Sequence, residues 1–120
     1  MEKLSIQEEE AMRIVWHLKK GFIKDFLKHY PQPRPPYTTL ASVIKNLERK
    51  GYVQGRKYGN VYEYIPIVEE CEYKKTFMSG FVKNYFKNSY RDLVAFFISE
   101  QNLSSEELKE LIEIIDTEKK

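Results

Sequence analysis

A single cysteine, Cys71, stands in 120 residues, so no internal disulfide can staple this chain and no CxxC pair is present to hold zinc. Histidine is almost as scarce. His17 and His29 are more than ten residues apart, on separate expected helices without neighbouring ligand types, and no metal site or cofactor is expected. Only five glycines occur, none in a phosphate-cradling loop, and there is no nucleophile elbow and no paired histidine and carboxylate set. An enzyme is therefore not expected. No apolar run approaches the roughly 20 residues that a membrane helix needs, and the opening Met1-Glu2-Lys3 followed by an amphipathic helix does not read as a signal peptide. The expectation is a cytoplasmic protein without membrane insertion. At 14.4 kDa there is room for one or two small domains.

The net charge of +2 says little until it is divided. Residues 1–66 carry twelve Lys/Arg against seven Asp/Glu, a net +5, and residues 67–120 carry eight against eleven, a net −3, which together give the whole-chain +2. A basic first half and an acidic second half suggest two jobs, the first facing a polyanion.

The basic half contains the most informative stretch. Over 37–50, Leu40, Val43, Ile44 and Leu47 recur at i, i+3, i+4 and i+7 and define one apolar helical stripe. Gly51 supplies the stop. On the opposite side Thr38, Ser42, Lys45 and Arg49 fall at i, i+4, i+7 and i+11, with Ala41 beside them. Small and hydroxyl side chains early, with cations late, suit a helix whose first half enters a major groove and whose later turns meet phosphates. After Gly51, two β-rich runs flank Tyr58-Gly59-Asn60, a hairpin signal, with Arg56 and Lys57 beside the turn and Pro66 closing the second run.

Upstream, Ser5 and Glu8 form a capping box opening a helix whose Ala11, Met12, Ile14, Val15, Trp16 and Leu18 share a face. Gly21 breaks the chain before a short second helix with Phe22, Ile23, Phe26 and Leu27, and the Pro-rich loop 31–36 ends that helix. Arg34 in the loop stands just before the reading helix. Three helices followed by a hairpin predict a winged helix-turn-helix over residues 1–67, in which the second helix braces the third.

From residue 68 the pattern becomes purely helical, giving a fold class that is mainly α with one small β-hairpin. A helix over 69–87 carries Tyr73, Phe77, Phe81 and Tyr85, with Met78, Val82 and Phe86 adjoining. A second over 91–101 carries Leu93, Val94, Phe96, Phe97 and Ile98. In the third, Ser104 and Glu107 form a capping box, Leu103 and Leu108 a staple, and Leu108, Leu111, Ile112 and Ile115 a stripe. Fifty-odd residues cannot hide this much apolar surface alone. Residues 68–120 are accordingly expected to be a three-helix dimerisation domain using Phe77, Phe81, Tyr85, Phe97, Leu108, Leu111, Ile112 and Ile115, so that a homodimer sets two reading helices on a palindromic site in double-stranded DNA.

The chain also resembles the penicillinase-repressor (BlaI/MecI) family of bacterial transcriptional regulators over nearly its whole length. The likeness rests on residues 10–16, on Tyr37-Thr38-Thr39-Leu40 through Leu47-Glu48-Arg49-Lys50-Gly51-Tyr52-Val53, on the wing ending Tyr62-Glu63-Tyr64, and on the acidic helical tail. It implies a dimeric repressor holding an inverted-repeat operator until a signal removes it. It further implies DNA contacts at Thr38, Thr39, Ser42, Lys45 and Arg49, with Arg56 and Lys57 on the wing. In members tied to β-lactam resistance, a membrane sensor metalloprotease triggers cleavage in the dimerisation part. The cleaved Asn-Phe bond would align near Phe96-Phe97, where this chain lacks the Asn. The tail also lacks the cysteine-rich site of the copper-responsive branch, and Ala41 and Asn46 stand where basic residues are frequent. The competing reading is a winged-helix protein-interaction module that has lost DNA binding, which an acidic or blocked reading face would signal.

Overall fold

A computed structural model describes residues 1–100 and 104–118, the side chains of 111, 112 and 114–118 excepted. In chain order it holds α1 (Ile6–Leu18), β1 (Gly21–Phe22), α2 (Ile23–Lys28), α3 (Tyr37–Arg49), β2 (Val53–Tyr58), β3 (Val61–Pro66), α4 (Glu70–Tyr85), α5 (Tyr90–Ser99) and α6 (Ser105–Glu118). It is mostly helical with one small antiparallel sheet, and the first six elements form a winged helix.

α1 begins where its capping box dictates: the Ser5 hydroxyl accepts from Glu8 N–H (3.1 Å) and the Glu8 carboxylate accepts from Ser5 N–H (2.8 Å), satisfying two helix-end donors reciprocally. It ends at Lys19, which adopts left-handed backbone (φ 72°) and donates its N–H to Val15 O. Gly21 is therefore not the breaker. It lies in β1, where an added Cβ would come within 2.9 Å of Phe26 Cε1, so what the position requires is the absence of a side chain.

That strand is the element missed by the sequence reading. Gly21 and Phe22 pair with Tyr64 and Glu63 of β3, turning the hairpin into a three-stranded sheet ordered β1-β3-β2. Two residues are too few for any periodicity to register. Phe22, expected in the second helix, is instead a strand residue and the cap of α2, its N–H donating to Asp25 Oδ2 at 3.0 Å. The hairpin turns at Gly59, whose φ of 62° is the left-handed conformation such a turn needs.

The core unites α1, α2, α3 and the sheet: Ala11, Met12, Val15, Phe26, Leu40, Ile44, Leu47, Tyr52 and Val53 are all but sealed from solvent, with Leu4, Tyr30 and Tyr64 nearly so. Residues 68–73 join it. Trp16 Nε1–H donates to Val68 O (2.9 Å), Tyr73 stacks at a tilt on Trp16 with ring centroids 5.6 Å apart, and its hydroxyl donates to Glu9 Oε2 at 2.5 Å. Burial and the neighbouring Glu9 carboxylate together push the Tyr73 hydroxyl above its ordinary pKa. The N-terminal strand of chain is tied down as well, since Tyr52 donates to Glu2 O and Lys50 Nζ to Lys3 O.

The chain divides into two compact units, 1–74 and 75–120. In the second, Val82 and Leu93 are the buried hydrophobics among the described residues, and Phe77, Met78, Tyr85, Phe96, Phe97 and Ile98 are exposed. Its rings form a chain of contacts, Phe77 on Phe81, Phe81 on Tyr85 and Phe86, Phe86 on Phe96, Phe96 on Phe97, all with centroids 5.0–6.3 Å apart. At α6 the Ser104 hydroxyl accepts from Glu107 N–H at 3.1 Å, whereas Leu103 of the expected staple and the side chains of Leu111, Ile112 and Ile115 lie outside the described residues.

Candidate nucleic-acid interface

α3 earns its place by amphipathicity. Leu40, Ile44 and Leu47 are buried in the core, which fixes the rotation of the helix and turns Thr38, Ser42, Lys45 and Arg49 outward, where all four are exposed. At 100° per residue these four lie in one narrow stripe. Ala41, half-buried, borders the stripe on the side toward the sheet, and Thr39 sits about 100° around the helix from Thr38. Thr39 lines a separate small recess of about 220 Å³ shared with Gln7, Glu10, Tyr30 and Arg34. Burial, with Glu10 nearby, pushes the Tyr30 hydroxyl up to about 12. The structure thus brings together five of the six expected contacts on α3 and sets Thr39 apart.

Lys50, the last basic residue of this stretch, does not join the stripe. Its ammonium is 2.7 Å from Glu8 Oε1, and the pair is largely enclosed, with side-chain exposures of 14% and 7%. Burial opposes the Glu8 charge, but the Lys50 ammonium and the Ser5 N–H outweigh it and hold the carboxyl below its ordinary value. The cation at the end of the helix therefore locks α3 to the start of α1, whereas Arg49, one residue earlier, faces solvent.

The wing shows a similar division. Successive strand residues point to opposite faces, so the adjacent cations Arg56 and Lys57 leave the wing on opposite sides. Lys57 pairs with Tyr62 and Gly55 with Tyr64, and this face turns toward α3, since a Cβ built on Gly55 would point to within 3.2 Å of Glu48 Oε2 on that helix; the Gly55 N–H, in the plane of the sheet, donates to the same oxygen at 3.1 Å. Arg56 pairs with Glu63 on the far face, beside Phe22 and Tyr58, whose rings meet edge-on at 6.3 Å. Position 55 is tight for any side chain, because a Cβ there would lie 3.0 Å from Tyr64 Cε1 and 3.2 Å from Glu48 Oε2.

Between α3 and the wing runs an open cleft of about 540 Å³, lined from α3 by Tyr37, Ala41 and Lys45, from the wing by Asn60, Val61, Tyr62 and Tyr64, and from β1 and α2 by Phe22, Ile23 and Lys24. Tyr37, Lys24, Asn60 and Tyr62 were not singled out from sequence as site residues, since they belong to three separate segments, and the pairing of β1 with β3 is what brings the start of α2 to the wing. Burial, with Glu48 and the phenols of Tyr62 and Tyr37 nearby, raises the pKa of the Tyr64 hydroxyl. The two histidines, far apart in sequence, also meet, with ring centroids 6.3 Å apart, although the described residues contain no group of three or more potential metal ligands. No helix among the described residues is long and apolar enough to cross a membrane.

An exposed hydroxyl-and-cation stripe beside a paired wing can follow a groove of duplex nucleic acid. Comparison with known proteins points the same way. Residues 4–117 match the family described as penicillinase repressor. The chain is 26% identical over 115 residues to the methicillin resistance regulatory protein MecI of Mammaliicoccus sciuri, covering 95% of this chain and 94% of that protein. It is 24% identical over 118 residues to the penicillinase repressor of Bacillus licheniformis, covering 98% and 92%. A solved structure titled as a possible transcriptional regulator for arsenical resistance overlaps 66% of this chain and 86% of its own at 17% identity with a TM-score of 0.46, too loose a likeness to carry an argument.

Proposed function

Because this chain belongs to the penicillinase repressor family, we propose that it is a transcriptional repressor, working as a homodimer on an inverted-repeat operator rather than as an enzyme. The observation that carries the proposal is the outward stripe of Thr38, Ser42, Lys45 and Arg49 on α3, none of them buried, standing beside the wing. Ala41 and Ser42 meet base edges, Thr38 and Thr39 position the helix start, and Lys45, Arg49 and Lys57 neutralise phosphates. Arg56, on the other face of the wing, contributes less. The reading face carries hydroxyls and cations, which disfavours a winged helix that serves only protein contacts.

Residues 1–67 read DNA in this proposal and residues 68–120 dimerise. What supports the second half is the exposure of Phe77, Tyr85, Phe96, Phe97 and Ile98 around a core that, among the described residues, buries Val82 and Leu93. A second copy covering those rings, with Phe81, Leu108, Leu111, Ile112 and Ile115, gives a two-fold dimer, the symmetry that an inverted repeat with half-sites about 34 Å apart, one turn of B-form DNA, requires. Relief follows a signal acting on the tail. The resemblance makes a membrane sensor metalloprotease a partner for that step, and Phe96-Phe97 on α5 aligns near the bond cut in those relatives but lacks its Asn, so the resemblance does not assign that cut to this chain.

The test is to recover genomic fragments retained by the full chain, define their shared sequence, and measure affinity against salt. If each protomer neutralises about three phosphates, log K falls against log salt with a slope of roughly −5 for the dimer. A monomer by solution scattering, or affinity for duplex DNA that ignores salt, would overturn the proposal.

A further inference from the structure

On the flank of α3 opposite the wing, the recess of about 220 Å³ is walled by α1, the loop after α2 and the first half of α3. It holds charges of both signs. Glu10 stands on α1 and Arg34 in the loop, and neither forms an ion pair among the described residues. Tyr30 shares the wall. It is only 8% exposed, yet its hydroxyl makes no hydrogen bond among the described residues. We propose that this recess binds a free α-amino acid with an aliphatic or aromatic side chain, its ammonium group on Glu10 and the Tyr30 oxygen and its carboxylate on Arg34. The site lies wholly within residues 1–74, and its occupation requires neither DNA nor a second copy.

The occupant follows from the chemistry of the walls. A ligand of one sign is attracted by one of Glu10 and Arg34 and repelled by the other, whereas a zwitterion satisfies both. Buried polar groups ordinarily have a partner, and a bound ammonium group would supply one by donating to the Tyr30 oxygen and to Glu10 together. The Glu10 charge already acts on the Tyr30 hydroxyl, helping burial to raise it, which places the two groups side by side. The start of α3 favours the other end of the ligand. Its N-cap is Pro36, which offers no side-chain cap, so the N–H groups of the first turn leave a positive potential on the side of Arg34. Pro33, Pro35, Leu40 and Val43 complete the lining and suit a hydrocarbon side chain. Size sets the rest. An apolar cavity of about 150 Å³ accepts benzene, so this recess takes roughly nine to twelve non-hydrogen atoms, the span from leucine to phenylalanine.

The experiment titrates the free amino acids one by one into the isotope-labelled full chain and follows its backbone amide resonances. L-leucine, L-phenylalanine or another apolar member should give saturable shifts centred on Glu10, Arg34 and Thr39, with a Kd of about 1 mM or below, within reach of a ligand this small. N-acetyl-L-leucine lacks the ammonium group and L-leucinamide lacks the carboxylate. Each should bind about tenfold more weakly than L-leucine or worse, the worth of one hydrogen bond to a charged group. The variants cross these losses. In Glu10→Gln the acetyl group should no longer matter, and in Arg34→Ala leucine and leucinamide should bind alike, which unfolding would not produce. Tyr30→Phe should weaken L-leucine about fivefold, with melting curves confirming the fold. No shift with any standard amino acid at millimolar concentration, or shifts confined to residues outside the recess, overturns the assignment. So does equal binding of L-leucine and either blocked form by the wild type, or a preference for acidic or basic amino acids over apolar ones.

Discussion

Two neighbouring cations at the end of α3 should fail in opposite ways. Lys50→Met removes the ammonium 2.7 Å from Glu8 and leaves a carboxylate with 7% side-chain exposure facing a methyl group. Breaking a buried ion pair from one side costs about 3–5 kcal/mol, and the partial exposure of Lys50 argues for the lower end, about 3 kcal/mol. For a unit of this size that corresponds to roughly 12–24 °C in Tm. The affinity of the folded fraction for DNA, and its salt slope, should not change, because Lys50 is turned inward. Arg49→Ala should do the reverse, leaving Tm within about 2 °C, as surface substitutions do, and reducing the dimer's slope by about 2. The pH response gives a second handle. Glu8 is held below its ordinary value in the folded state, so its contribution is complete at neutral pH and is lost as the pH falls below the ordinary glutamate range and through the lowered folded value. Lys50→Met should flatten that acid limb. Calorimetric melts at pH 7 and pH 4, with anisotropy titrations at several salt concentrations, measure all of this. A Lys50→Met protein that melts within 3 °C of wild type and loses salt slope would refute the division of labour.

Other outcomes follow from the same geometry. Tyr73→Phe removes a hydroxyl that donates to the Glu9 carboxylate, and should destabilise the protein by about 1.5–3 kcal/mol in denaturant titration; no change would mean that the first turn of α4 is held by ring packing alone. Gly55→Ala forces a methyl to within 3.0 Å of the Tyr64 ring, and a cost of about 1–3 kcal/mol is expected, with weaker DNA binding as the wing shifts. Unchanged melting would show that Tyr64 can yield. On the wing, Lys57→Ala should reduce the salt slope more than Arg56→Ala, since pairing opposite Tyr62 and opposite Glu63 sends them to different faces; equal effects would contradict the register.

Much of the interface was legible in the order of residues because it depends on local rules. The capping box at Ser5 and Glu8, the apolar spacing of Leu40, Ile44 and Leu47, and the turn at Gly59-Asn60 are each decided within a few residues. The outward stripe of α3 follows from its buried one by helical geometry alone. β1 was not legible, because two residues carry no period, and its existence depends on an edge of β3 more than forty residues away.

Local pattern by itself determined the order of the helices and the hairpin, the capped start of α1 and which side of α3 is polar. Tertiary structure decided which polar groups are free to act. Lys50 and Arg49 look alike in sequence, yet one meets Glu8 of α1 and the other meets water; Arg56 and Lys57 are neighbours, yet the pleat separates them; Lys24 is an ordinary helix cation until β1 pins it beside the wing. A side chain's chemistry is written in its own residue, but its availability depends on contacts between segments distant in the chain, and those form only when the core closes.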